Sequence, residues 1–185
     1  LVSNVTEVVT VEISNCDPHW DNVVALLHFD GDLEDHKGNI WTTYGGLGFS
    51  EGRFGEGIRF TGTNRNQKVT TPFNGNLDIK QGDWTLEFFA SINSYPAASN
   101  RYPCAISVRT NFSNMAFTVE VSYALKSIRM LLRFNDNTVL SLSCPYVFEL
   151  GKVYHLAFTR KDDQLYYFVD GVLADTQPTP PGASL

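Results

Sequence analysis

Asp30, Asp32, Glu34 and Asp35 put four carboxylates within six residues, beside the turn-forming Gly31 and Gly38. A hard cation such as calcium gathers about six to eight oxygen ligands, so this acidic loop is the candidate metal site. It lacks the Asp-x-Asp-x-Asp-Gly spacing and distal Glu of a dedicated calcium loop, and Asp30 and Asp35 equally suit turns in which a carboxylate accepts backbone amides. His28 lies two residues before Asp30, on the same face if the segment is a strand. The pair fits shared ligation, and His28 alone fits a hydrogen-bonded core position.

Sugars stack their apolar faces on aromatic rings, while Asn, Asp or Arg bond their hydroxyls. Trp41, Tyr44, Tyr95, Arg101 and Tyr102 lie in Gly-, Asn- or Pro-containing segments and are the candidate ligand-binding residues. Taken singly, each also suits the edge of a core. Glycoside cleavage needs two carboxylates flanking one bond. The Glu-x-Asp-x-Glu pattern that would put them on one strand face is absent, and neither Glu87 nor Glu120 has an acidic residue two or four positions away within its own strand. Gly-x-Ser-x-Gly, His-Glu-x-x-His and phosphate-cradling loops are absent too. The expectation is a non-enzyme, with no cofactor or at most calcium.

Composition narrows the class further. The 185 residues carry 14 Lys+Arg against 20 Asp+Glu, a formal charge of −6, with 43% apolar residues and 18% charged ones. That balance supports a core and lacks the clustered basic footprint of a nucleic-acid binder. The longest apolar run, Val23-Val24-Ala25-Leu26-Leu27, is far short of the roughly 20 residues that span a bilayer. Cys16, Cys104 and Cys144 show no C-x-x-C spacing. Cys104 and Cys144 either pair between neighbouring strands or stand as buried thiols. Asn4-Val5-Thr6 and Asn111-Phe112-Ser113 fit the N-glycosylation pattern.

Strands must position these groups. Trp84, Leu86 and Phe88 alternate with Thr85 and Glu87, and Phe117, Val119 and Val121 alternate with Thr118, Glu120 and Ser122. Further strands are expected at Val23–Phe29, Ile58–Thr61, Lys68–Thr71, Ala105–Arg109, Ser127–Phe134, Val139–Leu142, Val153–Arg160, Gln164–Val169 and Val172–Asp175. Phe134 to Thr138 reads as a hairpin loop and Asp170-Gly171 as a tight turn that tolerates positive φ. No stretch keeps helical spacing for three turns. The fold expected is all-β, a two-sheet antiparallel jelly-roll sandwich. Residues 1–16, where Val9, Val11 and Ile13 alternate with polar neighbours, read as a β arm or the end of a preceding domain. Residues 17–176 read as the sandwich, and Pro-rich 177–185 as a linker or the start of further sequence.

Four segments in order resemble the laminin-G-like, concanavalin A-like lectin/glucanase jelly rolls, especially those of bacteriophage tail and fibre proteins. They are Val24 to Gly31 followed by Asp35-His36-Lys37-Gly38-Asn39, Phe54-Gly55-Glu56-Gly57-Ile58-Arg59-Phe60-Thr61-Gly62, Trp84 to Phe89, and Tyr154 to Arg160 with Leu165 to Leu173. The resemblance implies a non-catalytic structural or recognition module of a virion, acting in assembly or in adhesion to a host surface glycan. Other virion subunits or further domains would be its partners, as an oligomer. A calcium-dependent extracellular lectin or adhesin is the alternative, and a polysaccharide-cleaving enzyme a more distant one. Family members continue past the Asp-Gly hairpin into further strands, so these are expected beyond Leu185 in a longer parent chain, in a partner chain, or replaced by the arm at Val5–Ile13.

Overall fold

Alternation splits each strand into a face that seeks a core and a face that does not, and the computed structural model shows where these faces meet. It describes residues 19–61, 67–72, 77, 82–95, 104–109 and 115–182; the expected arm at 1–16 lies outside them. Two short ladders come first along the chain. β1 (Thr42–Tyr44) pairs with β4 (Lys68–Thr70), and β2 (Gly48–Glu51) with β3 (Glu56–Arg59). Two four-stranded antiparallel sheets follow. The first contains β5 (Trp84–Ser91), β10 (Val153–Lys161), β11 (Gln164–Val169) and β12 (Val172–Pro178), in the order β12-β11-β10-β5. The second runs β6 (Cys104–Arg109), β7 (Met115–Ser122), β8 (Ser127–Arg133), β9 (Val139–Ser143), in that order.

The core lies between the two sheets. Leu156, Phe158, Leu165, Tyr167 and Val169 from the first meet Phe117, Val119, Ile128, Met130, Leu132 and Leu142 from the second. Tyr167 fastens them: its ring stacks on Phe158 at 4.3 Å, and its hydroxyl donates to the Ile128 carbonyl oxygen of the opposite sheet at 3.0 Å. That bond satisfies the one polar atom of a fully buried aromatic side chain. At the β9–β12 edge, the Ser143 amide donates to Asp175 Oδ2 at 2.9 Å and Gln177 Nε2 to the Ser141 carbonyl oxygen at 3.3 Å.

Several expected strands shift. Val23–Phe29 is not a strand; it contributes one isolated bridge, Leu27 to Asp35, because the Leu26 amide donates to the Asp35 side chain instead of to a ladder. β1 and β2 carry no apolar alternation and were not expected. The last strand runs to Pro178, beyond the boundary drawn at 176, since β12 is an edge strand and an edge tolerates proline. Thr179 is buried, and its amide donates to the Asp163 carbonyl oxygen at 2.8 Å, so the stretch expected to be a linker begins by packing on the sheet. Both expected hairpins form. Asp170 and Gly171 have φ of 50° and 78°, and the Phe134 amide donates to the Thr138 carbonyl oxygen at 2.9 Å.

Strand order also decides the cysteines. Cys104, Glu120, Arg129 and Ser143 lie in one cross-strand row on four successive strands. Cys144 therefore stands three strand spacings from Cys104, roughly 14 Å. A disulfide needs Cα atoms within about 7 Å, so the two cannot pair. Cys144 is a buried free thiol, and burial pushes its pKa up.

One glycine of the Phe54-Gly55 segment carries a specific constraint. Gly55 has φ of +81°, and a Cβ there would lie 2.3 Å from Asp30 Oδ1, which accepts the Glu56 amide at 2.8 Å. Gly38 has the same φ of +81° with nothing within 4 Å of such a Cβ. Gly38→Ala should therefore cost about 1 kcal/mol of backbone strain and Gly55→Ala clearly more, by about a further 1–2 kcal/mol. Thermal denaturation of the two variants side by side measures the steric part.

Candidate ligand-binding face

The four acids of the candidate metal loop do not converge. Asp35 is 6% exposed, and its carboxylate accepts the Leu26 and Lys37 amides on Oδ1 at 3.0 and 2.8 Å, and Asn39 Nδ2 and Trp41 Nε1 on Oδ2 at 2.7 and 2.9 Å. Burial alone would raise its pKa, but the four hydrogen bonds together outweigh it and hold the carboxyl below the ordinary value. Asp30 accepts the Glu56 amide, and Asp32 Oδ1 the Glu34 amide at 3.0 Å. Among the described residues, no three His, Cys, Asp or Glu side chains gather as a many-oxygen calcium site would require. Adding calcium is accordingly expected to leave the melting temperature unchanged; a rise on titration, measured by calorimetry, would restore the loop as a calcium site.

The described candidate aromatics each have a partner within the fold. Trp41 is half-buried with its N–H committed to Asp35. Tyr44, 48% exposed, lies under Lys68 Nζ at 4.8 Å, opposite Lys68 in the β1–β4 ladder. Tyr95 packs against the core and donates its hydroxyl to the Phe148 carbonyl oxygen. Arg101 and Tyr102 lie outside the described residues.

The structure instead gathers aromatics on the open face of the β12-β11-β10-β5 sheet. Inward residues Leu86, Phe88, Leu156, Phe158, Leu165 and Tyr167 fix the alternation. Phe89, Glu87 and Thr85 of β5, His155, Ala157 and Thr159 of β10, and Tyr166 and Phe168 of β11 must then point the other way. Register lays them out in rows. Glu87 faces Ala157, which faces Phe168, which faces Leu173; Thr85 faces Thr159, which faces Tyr166. The centre of the face is thus small, Ala157 and Thr159, with Phe168 and Tyr166 on its β11 side, Glu87 and Thr85 on its β5 side, and His155 opposite Phe89 in the neighbouring row.

On the β5 side, Phe54 meets Phe89 edge to face at 5.2 Å, and Phe89 lies 4.8 Å from the His155 ring. On the β11 side, Tyr166 and Phe168 are 6.2 Å apart. Between them His155 Nε2 approaches Glu87 Oε2 at 3.5 Å. Phe89 is 46% exposed and Leu173 49%. The exposed Phe54 and Phe89 and the half-buried Tyr166 and Phe168, with an acceptor and an imidazole in reach, can stack on a flat amphipathic ligand and bond its hydroxyls. Sequence reasoning missed this face, although consecutive aromatics in a strand, Phe88-Phe89 and Tyr166-Tyr167-Phe168, must divide between its two sides.

Comparison with known proteins bears on the architecture. A laminin-G-type family described as the concanavalin A-like lectin/glucanases superfamily matches residues 61–185. Among curated proteins none matches. Among solved structures, the binding domain of Paraclostridial Mosquitocidal Protein 1 is similar with a TM-score of 0.69 at 15% identity, over 85% of this chain and 40% of that one. The carbohydrate-binding module CBM66 from Bacillus subtilis is similar with a TM-score of 0.44 at 16% identity, over 75% of this chain and 78% of that one. This chain thus spans 40% of the first structure, and at 15% identity that likeness is one of fold.

Proposed function

The chain belongs to the concanavalin A-like lectin/glucanase superfamily, and from that premise we propose that it is a non-catalytic recognition module binding glycan on the open face of its β12-β11-β10-β5 sheet. The observation that carries this reading is the small centre at Ala157 and Thr159, with Tyr166 and Phe168 on its β11 side and Glu87, His155 and Phe89 toward β5. A pyranose presents an apolar face to such rings and hydroxyls to such polar groups. Glu87 is the one carboxylate among the described residues of this face, whereas glycoside hydrolysis uses two, so the module holds its sugar without cleaving it. Retention on immobilised glucan, mannan, xylan and bacterial surface polysaccharide tests the reading. Binding to at least one, with no reducing ends released, is expected; failure on all four, or release of sugar, would overturn it.

The wider setting we propose is a virion tail or fibre, with further domains or other virion subunits as partners in an oligomer, and an extracellular adhesin as the alternative setting. Its support is the ordered resemblance of the four segments quoted above. Antibody labelling of particles would test it, and label confined to particle-free fractions would count against a virion.

A further inference from the structure

The acid-rich loop brings together two histidines. His28 and His36 are exposed, with ring centroids 4.6 Å apart and planes tilted by 40°, so they do not form a parallel stack. Among the described residues neither imidazole makes a hydrogen bond or an ion pair. A first-row metal bonded to an imidazole nitrogen at about 2.0–2.1 Å lies roughly 3.2 Å from the ring centre. Two imidazoles in adjacent positions around one ion then have centroids about 4.5 Å apart at a right angle and about 5.2 Å at the tetrahedral angle. The observed separation falls within that interval.

The backbone beneath the pair is fixed. Leu27 and Asp35, the residues just before the two histidines, form the isolated bridge, and the His36 amide donates to the Leu26 carbonyl oxygen at 3.0 Å. The buried Asp35 carboxylate binds the Leu26 and Lys37 amides on either side. Two ligands set on a braced turn lose little freedom on chelation. Charge favours a cation as well: Asp30, Asp32 and Glu34 are exposed in the segment between the two histidines. The neighbouring base, Lys37, is turned away, its Nζ on the Trp20 carbonyl oxygen at 2.9 Å and 4.4 Å from the Trp20 ring centre.

We propose that His28 and His36 form a two-histidine chelate for a divalent transition metal, copper(II) or nickel(II) before zinc, with water in the remaining positions. Imidazole selects such ions over calcium, and the absence of a third protein ligand among the described residues leaves the order of affinity to the metal itself.

The test is titration of the untagged full chain with copper(II) or nickel(II), by calorimetry and by paramagnetic broadening of amide resonances. One equivalent is expected, with broadening centred on residues 27–37. H28Q and H36Q should each weaken binding at least roughly tenfold, because either change turns a chelate into a single ligand. H19Q should leave it unchanged. Broadening centred elsewhere, equal affinity in H28Q or H36Q, or no saturable binding would overturn the proposal. The broadening of the wild-type chain decides the matter even if a variant folds poorly.

Discussion

Asp35→Ala is expected to destabilise the fold by about 3–4 kcal/mol, which for a chain of this size lowers the melting temperature by roughly 10 °C. The substitution strips the acceptor from two backbone amides, the Asn39 amide group and the Trp41 indole at once. Each donor left buried without a partner costs about 1–3 kcal/mol, and partial access of water keeps the total below the sum. Asp35→Asn keeps the shape but turns an NH2 toward N–H donors, so it should lose about half as much. The pH dependence has a definite sign. The folded-state pKa lies below the unfolded one, so the carboxylate's contribution is fully present above the unfolded value and is lost as pH falls through the folded value. The stability gap between wild type and Asp35→Ala should stay constant around neutrality and narrow below the ordinary aspartate value of 3.8. Calorimetry across that range measures it; a gap that widens in acid would contradict the hydrogen-bonded carboxylate.

The second large effect concerns binding. Phe89→Ala combined with Tyr166→Ala should weaken glycan binding roughly 30- to 100-fold, since each stacking ring contributes about 1–1.5 kcal/mol. Both side chains point away from the core, so the melting temperature should move little. The neighbouring positions separate the two roles. Phe88 faces inward, 6.4 Å from the Phe158 ring, and Phe88→Ala should cost about 3 kcal/mol of stability or more while leaving the affinity of the folded protein intact. Ala157→Leu, at the centre of the face, should obstruct the ligand as effectively as removing the rings. Affinity electrophoresis of these variants, paired with thermal melts, distinguishes a binding face from a merely exposed one.

The strands of the two main sheets were legible because each alternates: Trp84, Leu86 and Phe88 announce β5, and Gln164–Val169 coincides with β11 residue for residue. Asp170-Gly171 announced its own turn. The apolar run Val23 to Leu27 misled because a distant carboxylate competes for its amide, which no local pattern reports. Pro178 concealed the end of β12, since only strand order reveals an edge. The same gap explains the cysteines, whose strands are at opposite edges of one sheet. For the candidate site, Trp41, Tyr44 and Tyr95 lie in Gly-, Asn- or Pro-containing segments that suit a ligand, yet two of them spend their polar atoms on intramolecular bonds. The outward rings of β5 and β11 were present in the sequence as consecutive aromatics. Which member of each set faces out depends on the side where the second sheet packs, and that is a tertiary fact.

Chemical-shift mapping with an oligosaccharide from the best-retaining polysaccharide tests the central claim most directly. The account predicts amide perturbations concentrated on residues 85–89, 155–159 and 166–168, three strands that only the open face unites. Perturbations confined to Trp41, Tyr44 and their loop, with those three strands unmoved, would contradict it.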